Sequence, residues 1–251
     1  MRTGRFLFVL LVLSTSASAQ ITTPTPAPPI PEHTGLKEMV KELGEDVYHL
    51  WSTENLMWTG IGAGGALAIH PVDDTANQTL SGPSLDKFFK PGAVLGESYT
   101  LIPVSVAIYA IGRSRNNTRM SHMGSDLIQS LLIAELLTQS LKYATRRERP
   151  DLSNNLSFPS GHAADTLAFA TAIERHFNWK YWAPAYAFAT YVAMSRLHDN
   201  RHWASDVVFG STVGVIAGRT VTRLGHKQFP VAVTPVPGGV FLAYAPSASA
   251  R

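Results

Sequence analysis

Residues 124–150 read GSDLIQSLLIAELLTQSLKYATRRERP. The apolar run is bounded by Gly124 on one side and by charge on the other, which predicts a helix over 124–145. It runs out into a group of cations, Lys142, Arg146, Arg147 and Arg149, and Pro150 stiffens the exit. Outward from this stretch, further long apolar segments bounded by Gly, Pro or charge predict helices near 35–51, 54–69, 94–112, 161–177, 181–195 and 203–224. The fold expected is all-α, a helical bundle. Segment 70–92, with Pro71, Gly82, Pro83 and Pro91, is expected to be a long loop with little regular structure. After Pro230 the pattern turns to short β-prone pieces, Val231 to Val236 and Val240 to Tyr244, around Pro237-Gly238-Gly239. That pattern predicts a small terminal hairpin.

At 251 residues and 45% hydrophobic, the chain can bury one good core. Its start has the layout of a secretory leader: Arg2 and Arg5, an apolar run from Phe6 to Leu13, then Ala17-Ser18-Ala19 before Gln20. The expected organisation is a signal peptide at 1–19, a proline-rich linker at 20–33, a helical domain at 34–228 and a hairpin with its tail at 229–251. Export to the periplasm or the medium follows. Lys and Arg total 21 against 18 acids, and removal of Arg2 and Arg5 brings the balance close to neutral, which argues against a nucleic-acid partner. Cysteine is absent, so disulfides, thiolate catalysis and cysteine zinc sites are excluded.

The apolar helices raise the question of a membrane. Ser98 to Gly112 and Tyr181 to Ser195 are uncharged for fifteen residues each, short of the ~20 that a span needs. Three spans at 54–69, 94–112 and 124–145, counted from an exported terminus, would put residues 142–162 in the cytoplasm. They would also leave Arg113, Arg115 and Arg119 outside, against the positive-inside tendency. A soluble or peripherally membrane-associated domain is therefore expected over an integral one.

Three blocks concentrate groups suited to a phosphate ester. In the first, Lys142 supplies a point charge and Arg149 a planar fork of donors, although a basic helix end taken alone is only a solvated face. In the second, Phe158-Pro159-Ser160-Gly161-His162 precedes an apolar helical run. Ser160 and Gly161 there sit where unpaired backbone N–H groups favour an anion. Ser160 could equally be a plain N-cap. In the third, His202 and Asp206 stand four apart, so that on a helix the carboxylate can hold one ring nitrogen as N–H while the other keeps its lone pair for attack. The bland reading of that pair is a weak surface contact. Metal ligation needs more ligands, and neither His198 nor Asp199 supplies a persuasive set. The first two blocks share one connection between helices, and the next two helices run out and back, so all three blocks meet at one end of the bundle.

Lys142 with six residues before Arg149-Pro150, then Pro159-Ser160-Gly161-His162, then Ser195-Arg196 with five residues before His202 and three more before Asp206: this combination resembles the signature of the type 2 phosphatidic acid phosphatase and vanadium haloperoxidase superfamily. The resemblance implies a helical bundle with its site at one end. It implies that His202 attacks phosphorus to form a phosphohistidine, that Asp206 orients it, and that His162 protonates the leaving alkoxide and later activates water. It also implies that Lys142, Arg149, Ser160, Gly161 and Arg196 hold the equatorial oxygens. No metal or other cofactor is required in such a scheme. The substrate implied is a phosphate ester, with lipid phosphates, isoprenyl diphosphates and soluble monoesters all within the superfamily's range. A vanadium-dependent haloperoxidase, with vanadate as cofactor rather than inhibitor, carries the same signature; the shortness of the chain favours the phosphatase. A non-catalytic lipid-binding module of the same fold is the third reading.

Overall fold

The computed structural model describes residues 35–223, 231–236 and 239–244. The expected leader and proline-rich linker lie outside the described residues. The described chain is a helical bundle: α1 (Leu36–His49), α2 (Thr53–Ile69), α3 (Asp73–Leu80), α4 (Asp86–Leu95), α5 (Ser98–Ser114), α6 (Thr118–Thr145), α7 (Gly161–His176), α8 (Trp179–His198) and α9 (Ala204–Val221). Residues Val231–Val236 and Gly239–Tyr244 pair as antiparallel strands. The turn expected between them, at Pro237-Gly238, is outside the described residues.

The centre of the bundle is α6, 28 residues long, with α7 and α9 packed against it and against each other. Met123, Leu127, Leu131, Ala134 and Thr138 are buried along α6 at spacings of three and four, the stripe that a helix turns toward a core. Ile133 and Ala134 meet Ala164 and Ala168 of α7 and Val213 and Ala217 of α9 in one cluster. Around this centre α5 lies along α6, α8 along α7, α2 along α9 and α4 along α8.

The helix α6 begins six residues earlier than expected because the Asn117 side chain accepts from the Met120 N–H at 3.0 Å and caps it. Segment 70–92 is not the expected loop: it carries α3 and much of α4. Its prolines sit where they do little harm, since Pro71 and Pro83 open 3-10 turns whose first N–H groups have no partner to lose. Asp73, Asp74 and Asp86 then complement the N-termini of α3 and α4. Pro91 lies inside α4, and tertiary packing holds that helix together. Phe89 is buried, its ring stacked on Tyr191 at 5.9 Å, and the Tyr191 hydroxyl donates to the Phe88 carbonyl at 2.5 Å. The helix expected over 94–112 is split at Gly96-Glu97, where α4 gives way to α5.

Among the described residues no single helix is long and apolar enough to cross a membrane, though the stretch Pro83–Leu95 followed by Ser98–Ser114, bent by 55°, passes as a pair. Large apolar side chains are exposed along several helices: Leu56, Ile61 and Leu67 on α2, Val104, Val106 and Ile111 on α5, and Leu132 and Leu136 on α6.

The approach of α9 to α7 depends on glycine. A Cβ at Gly214 would stand 2.7 Å from Leu167 Cβ and clash with the Ala164 carbonyl, and one at Gly210 would clash with the Ser160 carbonyl. Gly64 of α2, in contrast, has open space around it. Gly214→Ala should therefore lower stability by about 1–3 kcal/mol. Gly64→Ala should be neutral or raise stability by up to about 1 kcal/mol. Urea midpoints of the two variants check this.

Candidate active site

At the C-terminal end of α6 the chain turns at Arg146, whose left-handed backbone (φ 47, ψ 40) stops the helix. Residues 146–160 are then stitched to the junction of α8 and α9. Asp151 N donates to Asn200 O at 3.1 Å, Trp203 Nε1 to Glu148 O at 2.9 Å, and Ser160 N to Asp206 O at 3.0 Å. These bonds gather the three sequence blocks around one cavity of about 320 Å³. Lys142, Arg149, Gly161, His162, Arg196 and His202 all line it.

His202 is buried, and its Nδ1 stands 2.7 Å from the Ser157 carbonyl. A carbonyl can only accept, so Nδ1 carries the hydrogen and Nε2 keeps the lone pair. This corrects the expectation that Asp206 bonds the ring from a shared helix face. His202 precedes α9, and the nearest Asp206 oxygen is 3.9 Å from Nδ1, beyond hydrogen-bond reach. Asp206 acts one step back. Its Oδ2 accepts from Ser157 Oγ at 2.5 Å and from Trp203 N at 2.9 Å, and its Oδ1 from Arg147 at 2.6 Å. The carboxylate thus positions the residue that positions the imidazole.

Burial pushes the His202 pKa down to about 3; the Asp206 carboxylate opposes the shift, and the charges of Lys142 and Arg149 add to it. The ring is neutral at any ordinary pH. Burial would raise Asp206, but its hydrogen bonds and the Arg147 charge hold it below the usual carboxylate range. Lys142 is brought down to about 8, chiefly by burial and then by Arg149. Its Nζ donates to the Leu156 carbonyl at 2.9 Å.

Two donors at the site have no protein partner. Arg196 holds Asp199 through Nη2 at 2.7 Å, but its Nε is buried and unpaired. Ser160 precedes the first residue of α7, yet its side chain caps nothing and its Oγ is buried and unpaired. The plain N-cap reading of Ser160 therefore fails. Such orphan donors beside a cationic cavity suit an anion with several oxygens.

Sequence reasoning missed several members. Glu97 sets its Oε1 3.1 Å from His162 Nε2, which also lies 3.0 Å from the Ala93 carbonyl. Both are acceptors, so Nε2 carries a hydrogen and the ring is tied to the α4–α5 corner. Asp165, on the same cavity, is pushed up to about 8 by burial, with only partial relief from the Ser98 hydroxyl at 2.6 Å. Arg147 joins Asp206 to Asp73 of α3, its Nη2 standing 2.8 Å from Asp73 Oδ2. Asp73 also accepts from the Ser205 N–H at 2.8 Å. The sequence signals for these residues were a cation within the first block, Asp73 in a segment read as loop, and Glu97 and Asp165 inside segments read as helices.

The PAP2 superfamily model matches residues 124–230. A lipid A 1-phosphatase from Porphyromonas gingivalis is 36% identical over 110 residues, which are 43% of this chain and 24% of that protein. A lipid A 1-phosphatase from Rhizobium etli is 28% identical over 145 residues, 47% of this chain and 62% of that protein. The chain thus spans less than two thirds of either relative. Two crystal structures share its fold. Aquifex aeolicus LpxE has a TM-score of 0.53 at 22% identity, covering 61% of this chain and 95% of that one. A transmembrane PAP2-type phosphatidylglycerolphosphate phosphatase from Bacillus subtilis has a TM-score of 0.55 at 23% identity, covering 66% and 91%.

Two outcomes follow from this geometry. Arg147→Met leaves Asp206 and Asp73 buried without their shared cation and should cost about 3 kcal/mol in denaturant unfolding. Lys142 is charged below about pH 8 and neutral above it, so the affinity for inorganic phosphate should fall as the pH rises from about 7 to about 9. Lys142→Arg, whose guanidinium stays charged, should keep that affinity; calorimetric titration across the range measures both.

Proposed function

Because the chain belongs to the PAP2 superfamily over residues 124–230, we propose that it is a phosphoric ester hydrolase that removes phosphate from a lipid phosphate by way of a phosphohistidine on His202. The observation that carries this reading is the tautomer of His202. With Nδ1–H given to the Ser157 carbonyl, the lone pair of Nε2 belongs to a neutral ring on a cavity lined by Lys142, Arg149 and Arg196. Nε2 attacks phosphorus as the phosphorus–oxygen ester bond breaks, and His162 gives its proton to the departing alkoxide. Water then attacks the phosphohistidine, His162 takes up the proton of that water, and inorganic phosphate leaves with Nε2 restored. Lys142, Arg149, Arg196, Ser160 Oγ and the Gly161 N–H hold the equatorial oxygens, whose charge persists throughout the transfer. Glu97 accepts from the His162 Nε2–H at 3.1 Å and orients the ring toward its task. No step calls on a metal ion.

The lipid character of the substrate is supported by the curated relatives, both of them lipid A 1-phosphatases. It is also supported by the cavity mouth, where Val94 and Tyr99 line the opening and are more than half exposed. Apolar side chains beside a cationic cradle suit an amphiphile whose phosphate enters while its chains stay outside. The exposed apolar residues of α2, α5 and α6 support attachment to a membrane in an exported protein.

His202→Ala should abolish phosphate release from an aryl phosphate with the far-ultraviolet circular dichroism unchanged; full activity in that variant would sink the mechanism. Vanadate should inhibit ester cleavage competitively, whereas bromide oxidation by peroxide in its presence would favour the haloperoxidase reading. Among substrates, a lipid phosphate in mixed micelles should outperform soluble monoesters.

A further inference from the structure

At the end of the bundle remote from the cradle, His122 and Asp126 stand one turn apart near the start of α6, and His176 is the last residue of α7. His122 to Lys142 is twenty residues of helix, about 30 Å along its axis. Nitrogens of the two imidazoles and an oxygen of the carboxylate all lie within 4.8 Å of one another. His176 Nε2 is 2.8 Å from Asp126 Oδ2, and His122 Nε2 is 3.8 Å from the same oxygen. Ligand atoms bonded to zinc at ~2.0–2.1 Å in a tetrahedron stand about 3.3 Å apart, so the observed separations bracket the required one. The side chains of Asp126 and His176 are almost wholly buried and that of His122 is 14% exposed, which leaves a way in for an ion.

We propose that His122, Asp126 and His176 form a zinc site that clamps the start of α6 to the end of α7. Two neutral imidazoles and one carboxylate make a nitrogen-rich, borderline-soft set, suited to zinc over the oxygen-seeking magnesium or calcium. The surroundings brace it. Arg119 Nη2 donates to the His176 carbonyl at 2.5 Å, and the guanidinium lies 4.9 Å over the Phe177 ring, fixing the end of α7 against α6. On the far side, Gln129 follows Asp126 by three residues, its Nε2 donating to Ser125 Oγ at 3.1 Å and to Glu42 Oε2 at 3.4 Å. Glu42 adds a second carboxylate from α1 to the same patch. The Gln129 side-chain oxygen Oε1 is buried with no partner. With three protein ligands the ion keeps one position for water, and its role is to hold two helices together. This site is independent of the reaction assigned to His202.

The test uses the full chain, stripped of metal by chelation and offered zinc alone. It should take up one equivalent by elemental analysis after gel filtration, and at a zinc concentration ~100-fold above Kd the Tm should rise by about 5 °C. His122→Ala and Asp126→Asn should each weaken zinc binding at least about tenfold and abolish the Tm shift. His122→Ala, the partly exposed ligand, serves where the buried substitution does not fold, and it should release phosphate from substrate at the unaltered rate. Zinc uptake by the variants equal to that of the parent chain overturns the proposal. So does a parent Tm that zinc leaves unmoved, or a response to magnesium as large as that to zinc.

Discussion

The carboxylate of Asp206 is the point on which the site depends. It is fully buried, and a buried carboxylate is tolerated only when its oxygens are matched by donors. Its matching donors come from three places in the chain: Ser157 in the connection after α6, Trp203 at the start of α9, and Arg147 at the exit of α6. Each donor fixes a segment that carries a proposed reacting or phosphate-binding group. Ser157 offers its carbonyl to His202, and its backbone N–H reaches back to the Arg147 carbonyl at 2.9 Å. The connection 146–160 and the start of α9 therefore cannot move independently. Asp73 extends the same constraint to α3 through Arg147 and Ser205.

Around that anchor the cavity separates its charges. Lys142, Arg149 and Arg196 line it with positive charge, and burial keeps the nearby His202 ring neutral, as the proposed attack requires. Across the cavity Glu97 holds His162, while Asp165, deprived of water, retains its proton near neutral pH. In the proposed mechanism, the same burial that would disfavour a charged ring suits an uncharged nucleophile. The orphan donors on Ser160 and Arg196 extend this arrangement, since buried groups left unpaired are matched when a ligand arrives.

Much of the fold was legible in the chain. The apolar runs that became α2, α6, α7, α8 and α9 are long and strongly patterned, and their bounds moved mainly through caps such as Asn117, whose effect is local. Segment 70–92 was misread because its prolines were counted as breakers, although Pro71 and Pro83 occupy first turns, and Pro91 is tolerated because Phe89 and Tyr191 pack around it. Propensity lost to tertiary contact there. Of the candidate site, the three blocks were readable because fixed spacings along helices and one short connection bring their members together whatever the remainder of the chain does.

The sequence by itself determined an all-α bundle, the three blocks and their convergence at one end, because helical periodicity and connection length are properties of neighbouring residues. Only the tertiary structure decided what depends on distant ones. It set Asp206 behind Ser157 and out of direct reach of His202, tied His162 to Glu97 across sixty-five residues of chain, and brought His176 to His122 and Asp126. These contacts join segments whose separation along the chain carries no period, so nothing local announces them.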